Sequence, residues 1–330
     1  MTSLADTAAQ ARNGIAFILI GMLCVSINDL IIAVMSGGYP LHQMVFSRAV
    51  IGIGLTLLLL RHEGGLHLLR TRQPLAHAAR ALLVVLSNMT YFAALSVMPL
   101  AMATALFFVA PLFITLLSIP FLGETVGLRR MMAVLVGFLG VLVMIRIEGG
   151  APLWAYPLPM LAALFYAVMQ ILTRRLGVAS SAAAMAFYIQ GAFLLVSAGF
   201  FVVAGDGRFA ETTPNEALQF LLRAWTWPEP ADWARMVVLG LSAGIVSYAL
   251  SRAYRVADAA VIAPFEYVAL PLAIFWGWLV LEQVPDQRTL LGAALIVGSG
   301  VYVFVRERSI DSPQSPVAGP RRALRRGFRR

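Results

Sequence analysis

Long apolar runs recur along almost the whole chain, and they decide what it can fold into. Residues 14–35, 49–60, 133–145, 236–250 and 259–281 carry few charges or none. A helical membrane span needs about 17–25 mostly apolar residues, and several of these runs reach that length with their flanks. Of the 330 residues, 60% are hydrophobic and 12% charged, against about 25% charged in an ordinary soluble domain. A chain so poor in charge cannot cover its surface in water. Lipid is therefore its solvent, and the expected fold class is all-α integral membrane.

Spans are expected at 14–35, 40–61, 77–97, 100–122, 129–147, 152–172, 182–204, 233–253, 257–281 and 287–306, ten transmembrane helices in all. The breaks between them carry Gly, Pro and charge, as at Gly37-Gly38-Tyr39-Pro40, at Pro99 and at 284–288. The first 13 residues hold one basic residue, Arg12, and lead into a full-length span with no cleavage site, so that span reads as a retained helix. All 25 basic residues are Arg. With the N-terminus inside, 19 of them fall on inner segments and five on outer ones, Arg48 alone lying within a span. This bias favours an inner-membrane protein with both termini cytoplasmic.

The net charge of +9 does not indicate nucleic acid, because the Arg residues lie between spans or in one tail rather than in a stripe with aromatics. The tail 309–330 is rich in Pro and Arg; it is expected to be disordered and to meet anionic lipid. The longest outer segment, 205–232, places apolar residues 217, 218, 221, 222 and 225 on one helical face. It reads as a short interfacial helix with Trp225, Trp227 and Trp233 as anchors, or as a lid. No motif speaks to oligomeric state.

The two halves of the chain resemble each other. Residues 101–124 read AMATALFFVAPLFITLLSIPFLGE and residues 259–282 read AAVIAPFEYVALPLAIFWGWLVLE, each 24 residues from Ala to Glu. Gly140-Val-Leu-Val-Met-Ile-Arg146 parallels Gly300-Val-Tyr-Val-Phe-Val-Arg306, and Met44-Val-Phe46 parallels Met185-Ala-Phe187. The expected units are thus two five-helix repeats, 12–150 and 151–308. Five is odd, so the second enters the membrane inverted. Inverted-topology repeats are common in secondary transporters, where two halves rock about a central site. Channels and some membrane enzymes also carry repeats.

The run Ala253-Tyr-Arg-Val-Ala-Asp-Ala-Ala-Val-Ile-Ala-Pro-Phe-Glu-Tyr267, with Leu281-Glu282-Gln-Val-Pro285, resembles the drug/metabolite transporter superfamily, EamA type. Ala105-Leu-Phe-Phe-Val-Ala-Pro111 through Leu122-Gly-Glu124 resembles the first copy of the same domain, and Asn28-Asp29, Tyr39-Pro40 and Phe46-Ser-Arg48 resemble its start. The match covers roughly 12–308. Within the superfamily, Ala-Pro-Phe-Glu-Tyr resembles the branch that includes riboflavin and S-adenosylmethionine uptake carriers. One departure is Ala33, where many members carry Lys one turn after the Asp. The resemblance implies a small-molecule carrier, with an amino-acid, metabolite or drug exporter as the alternative and an integral membrane enzyme as the rival class.

Three ionisable residues fall at membrane depth, where each costs at least ~2.5–3.5 kcal/mol on insertion scales and so needs a cavity or a partner. Asp29 and Arg48 could meet in the outer half, either as a structural ion pair or as a substrate or proton site. Glu266 lies near mid-membrane two residues after Pro264, which loosens a helix. It could carry a proton, bind a cationic or hydrogen-bond-donating substrate, or be a neutral Glu satisfied by packing. Asn88, Tyr91, Tyr166, Gln170, Tyr248 and Tyr267 make an aromatic, hydrogen-bonding cavity if they converge, and interhelical glue if they do not. Glu124 and Glu282 sit at span ends, where a negative charge suits the next helix N-terminus. Gly240-xxx-Gly244 and Ala294-xxx-Gly298 read as close-packing signatures. Nothing supports catalysis or a cofactor. Without Lys no Walker loop is possible, His42, His62, His67 and His77 lack metal spacing, and Cys24 is the sole cysteine.

Overall fold

A computed structural model describes residues 4–71, 73–123, 126–145, 151–176, 181–210, 213–256 and 263–311. The expected basic tail beyond Asp311 and the expected capping role of Glu124 lie outside these residues. Every regular element among the described residues is a helix. In lipid every backbone polar group must be satisfied within the protein, and an α-helix does this within one segment.

The helices are α1 (Leu4–Met35), α2 (Leu41–Glu63), α3 (Pro74–Leu95), α4 (Leu100–Phe107), α5 (Ala110–Leu122), α6 (Leu128–Met144), α7 (Pro157–Leu176), α8 (Ala182–Ala204), α9 (Glu216–Leu222), α10 (Pro230–Val256), α11 (Ala269–Leu281) and α12 (Gln287–Asp311). Eight stretches among the described residues are long and apolar enough to cross a membrane, with α4 and α5 together forming one of them. A shorter apolar helix, Met131–Met144, lies within α6.

Local signals set most ends. Pro40 and Pro99 precede α2 and α4 in extended conformation, and Pro74 opens α3 where its missing N–H costs nothing. Ser181 caps α8 by accepting from Ala184 N at 3.1 Å, and Asn215 caps α9. At the start of α12 the cap is Asp286, which accepts from Thr289 N and Oγ1. Glu282 does not serve α12; it ends α11 in the left-handed region at φ 55°. The charge that suits the α12 N-terminus is carried by Asp286.

Two spans expected as continuous helices are interrupted. The fourth breaks at Phe108–Val109, between α4 and α5. In the ninth, Ala263–Val268 forms a 3₁₀ turn before α11 begins. Pro111 and Pro271 explain where: a proline ring clashes with the carbonyl four residues back, here Phe107 and Tyr267. In the 24-residue alignment of the two halves, Phe108 and Glu266 occupy the same register, so the two breaks fall at matching positions of that alignment.

Helices pack in pairs. α1 runs along α10, α3 along α7, α2 between α8 and α10, and α6 along α12, with α4 against α11. Glycines permit the close approaches. A Cβ at Gly240 would lie 2.5 Å from Ile51 and one at Gly244 2.9 Å from Leu55, which seats α10 on α2. Gly140 and Gly292 bring α6 and α12 together backbone to backbone, each Cβ falling within 2.7 Å of the other's carbonyl oxygen. Gly298 has open space instead, so the second signature expected from the sequence is replaced by Gly292 and Gly300.

In the 205–232 segment, α9 buries Ala217 and Phe220 and leaves Leu218 exposed, a different face from the one expected. Trp225 packs on Phe201, Phe46 and His42, whereas Trp227 is 86% exposed and meets Trp233 edge-on.

Candidate functional site

The centre of the bundle is built around the broken fourth span. Asp29 on α1 and Tyr91 on α3 meet there, the Tyr91 hydroxyl donating to Asp29 Oδ2 at 3.2 Å and sharing a 2.9 Å hydrogen bond with Thr104 of α4. The Tyr91 ring contacts Phe107 with centroids 5.4 Å apart, and Phe107 contacts Tyr166 of α7 at 5.7 Å. Tyr166 accepts from Gln170 Nε2 at 2.9 Å and lies within electrostatic reach of Glu266. A row of rings therefore runs from Asp29 to the neighbourhood of Glu266, and Phe107, the last residue of α4, is its middle member.

Glu266 lies in the 3₁₀ turn, where the Tyr254 hydroxyl of α10 donates to Oε1. Oε2 has no hydrogen-bond partner among the described residues. Next to it, Tyr267 stacks against Phe108 at 4.8 Å and packs on Gly300, its hydroxyl buried without a partner among the described residues.

Arg48 is 3% exposed and Asp29 8%, yet they form no ion pair. Arg48 Nη1 donates instead to Asn28 Oδ1 at 3.1 Å, and Asn28 is held by the Leu239 carbonyl and Ser242 of α10. The guanidinium lies between the faces of Phe92 and Phe193, 5.1 and 4.4 Å from their centroids. Such cation–π contact holds a desolvated cation without neutralising it.

Of the nine residues singled out from the sequence, Asp29, Tyr91, Tyr166 and Gln170 join one chain of contacts, and Glu266 and Tyr267 adjoin it. Arg48 reaches it through Phe92, whose ring lies 5.9 Å from that of Tyr91. Asn88 lies one turn before Tyr91 and donates to the Val84 carbonyl of its own helix. Tyr248 is elsewhere, edge-on to Phe17 and packed against Leu60, Ala183 and Ala184. Missed from the sequence were Asn28, Thr104, Phe107, Phe92, Phe193 and Tyr254. Asn28 beside Asp29, and Phe107 four residues before Pro111, carried a signal; the others look like ordinary span residues. No group of His, Cys, Asp and Glu among the described residues could hold a metal ion.

Residues 12–146 match the EamA-like transporter family. The chain is 31% identical over 268 residues to a riboflavin transporter of Vibrio cholerae, covering 81% of this chain and 83% of the relative. It is 25% identical over 305 residues to an S-adenosylmethionine uptake transporter of Rickettsia prowazekii, covering 92% and 96%. A pseudopaline exporter of Pseudomonas aeruginosa is 26% identical over 287 residues, covering 87% and 94%. A solved crystal structure 21% identical covers 94% of this chain and 100% of its own with a TM-score of 0.60, a likeness of fold alone. Relatives along nearly the whole chain are thus named as transporters, on both the uptake and the export side. With its multiple apolar helices and a polar, aromatic centre, the chain is a multi-pass membrane transporter that belongs to the EamA-like transporter family.

Proposed function

We propose that the protein is a secondary carrier that moves a small organic metabolite across the inner membrane by alternating access. In this reading the chain forms ten membrane helices as two inverted five-helix repeats, 12–150 and 151–308. The packing supports it. Exchanging the halves turns the α1–α10 contact into the α7–α3 contact, and returns α2–α8, α6–α12 and α4–α11 to themselves. The Arg distribution supports cytoplasmic termini, and the basic tail 309–330 then lies on the leaflet where anionic lipid would attract it.

The observation that carries the reading is Glu266. It stands in a 3₁₀ turn of a broken span, with one carboxylate oxygen bonded to Tyr254 and the other without a hydrogen-bond partner among the described residues. Broken spans at repeat interfaces are where such carriers bind substrate and coupling ion. Glu266 takes up the driving proton or binds the substrate directly. The row Tyr91–Phe107–Tyr166 suits a compound with an aromatic part, as the named substrates of the riboflavin and S-adenosylmethionine transporters have. Export is the second reading, favoured by the pseudopaline exporter, because alternating access is reversible.

Glu266→Gln keeps the volume and removes the charge and the exchangeable proton. Transport into reconstituted vesicles should fall about tenfold or more, since losing a buried charged hydrogen bond costs about 1.5–3 kcal/mol. Folded yield in detergent should stay near wild type. Wild-type transport with an unchanged pH profile would remove Glu266 from the mechanism.

A further inference from the structure

At one end of the bundle a hydrogen bond joins the two broken spans. Leu100 N, the first N–H of α4, donates at 3.1 Å to Gln283 Oε1, just past the end of α11. The first N–H groups of a helix have no partner within it, and Pro99 at the cap position supplies no side-chain acceptor. α4 is thus capped by the other half of the chain. Gln283 is aimed there by a backbone turn that non-glycine residues rarely adopt. Glu282 alone among the described non-glycine residues has positive φ, and Gln283 N turns back to Gly277 O at 2.8 Å. Such strain persists where the surroundings impose it, and it gathers at clamps and switch regions. In the alignment of the two halves Gln283 falls opposite Thr125, so the repeat itself does not demand the amide.

Beside this bond lies a cavity of about 350 Å³, whose lining includes Ala33, Leu95, Leu100, Glu216 and Gln283. It reaches the surface at Glu216, which is exposed. Register sets where it ends. Ala33, Leu95 and Leu100 stand one helical turn from Asp29, Tyr91 and Thr104, each nearer the loop end of α1, α3 and α4. The cavity therefore ends on the contact in which Tyr91 bonds to both Asp29 and Thr104, all three of them buried. We propose that this cavity is the outer vestibule of the carrier, that the Asp29–Tyr91–Thr104 contact is its shut floor, and that Gln283 is the positioning residue that keeps the floor shut by holding α4 against α11. Thr104 rides on α4 one turn from Leu100, so parting the outer ends of α4 and α11 draws Thr104 away from Tyr91. A single neutral hydrogen bond is weak enough to be broken and remade in each transport cycle. The inference rests on the carrier reading and on the orientation that puts 205–232 outside.

Thiol labelling in intact cells tests it, with the full-length protein in a Cys24→Ala background. Ala33→Cys reports on the vestibule. Ser26→Cys reports beyond the floor. Ser26 lies on the same face of α1 one turn past Asp29, buried, and accepts from Trp276 Nε1 of α11 at 3.1 Å. Ser197→Cys, at a fully buried position of α8, reports on general loosening. A small membrane-impermeant thiosulfonate should label Ala33→Cys readily and the other two slowly. Gln283→Ala should speed labelling of Ser26→Cys about two- to tenfold, the scale of one lost hydrogen bond, without changing Ser197→Cys. Gln283→Glu keeps the acceptor and should restore protection. Leu100→Pro removes the donor instead. The first helical position accepts proline, and Pro99 already holds the extended backbone that must precede one. Leu100→Pro should act like Gln283→Ala, and it carries the test if Gln283→Ala folds poorly. Unchanged labelling of Ser26→Cys, or an equal rise at Ser197→Cys, overturns the proposal and leaves the carrier reading to the transport assay. Labelling of Ala33→Cys only after permeabilisation refutes the vestibule and the orientation together.

Discussion

A Cβ added at residue 300 would overlap the Tyr267 hydroxyl oxygen, which itself is buried without a hydrogen-bond partner among the described residues. The pair is therefore a contact in which a polar atom occupies space left by a missing side chain. Gly300→Ala should destabilise the purified protein by about 1–3 kcal/mol, the usual cost of overpacking, seen as a lower melting temperature in detergent. Tyr267→Phe removes an unsatisfied hydroxyl and should leave melting unchanged or raise it. In the double variant part of the Gly300→Ala loss should return, because the two residues share one contact and are not additive. Additive losses would show that Tyr267 does not press on Gly300. Transport separates the roles: if Tyr267 helps only by packing, Tyr267→Phe transports normally, and if its hydroxyl meets substrate, transport falls while melting does not.

At the scale of elements, the sequence was most legible where chemistry punctuates it. The expected span 182–204 coincides with α8, which opens at the Ser181 cap, and Pro40 and Pro99 fix the starts of α2 and α4. The interruptions were not legible, because an apolar run has the same composition whether helical or broken; only Pro111 and Pro271 mark the places. The site shows the same division. Charge at membrane depth made Asp29, Arg48 and Glu266 visible, but which neutral side chains meet them depends on pairings such as α1 with α3 and α1 with α10, which lie far apart in sequence. The 205–232 segment was legible in its short helix, α9, but its packing was hidden for that reason too. It is strapped to the start of α2, with Gln43 donating to Thr226 O at 2.6 Å and accepting from Thr226 N at 3.2 Å, and with Arg223 donating to Ser36 O and Gly37 O. Gln43→Ala leaves both Thr226 backbone groups unpaired, at a cost of about 1–3 kcal/mol for each group that stays buried. Amide hydrogen exchange should rise across 221–229 and stay unchanged in α6 and α12. Wild-type protection at 221–229 would mean that the Trp225 ring contacts alone hold the strap.

For the whole molecule, the decisive question is whether equivalent parts of the two halves face opposite sides of the membrane. The proposed inverted repeat predicts it, and the exchange-symmetric packing of α1–α10 and α7–α3 is consistent with that proposal. The Arg distribution supports the same proposal, with the connection after the second span inside and the one after the seventh outside. His67 in the first connection and Trp227 in the second are exposed. Cys24 is the sole cysteine, so Cys24→Ala gives a background without thiols. In that background His67→Cys and Trp227→Cys can be labelled with a membrane-impermeant maleimide in intact cells and again after permeabilisation. Trp227→Cys should react in intact cells and His67→Cys only once the membrane is opened. A repeat that ran parallel would put both positions on one side, and the two would then react alike. The assay needs no substrate, so it judges the architecture separately from the chemistry of Asp29, Arg48 and Glu266. Opposite labelling would mean that the two halves enter the membrane in opposite senses, the arrangement in which a site between them can open to each side in turn.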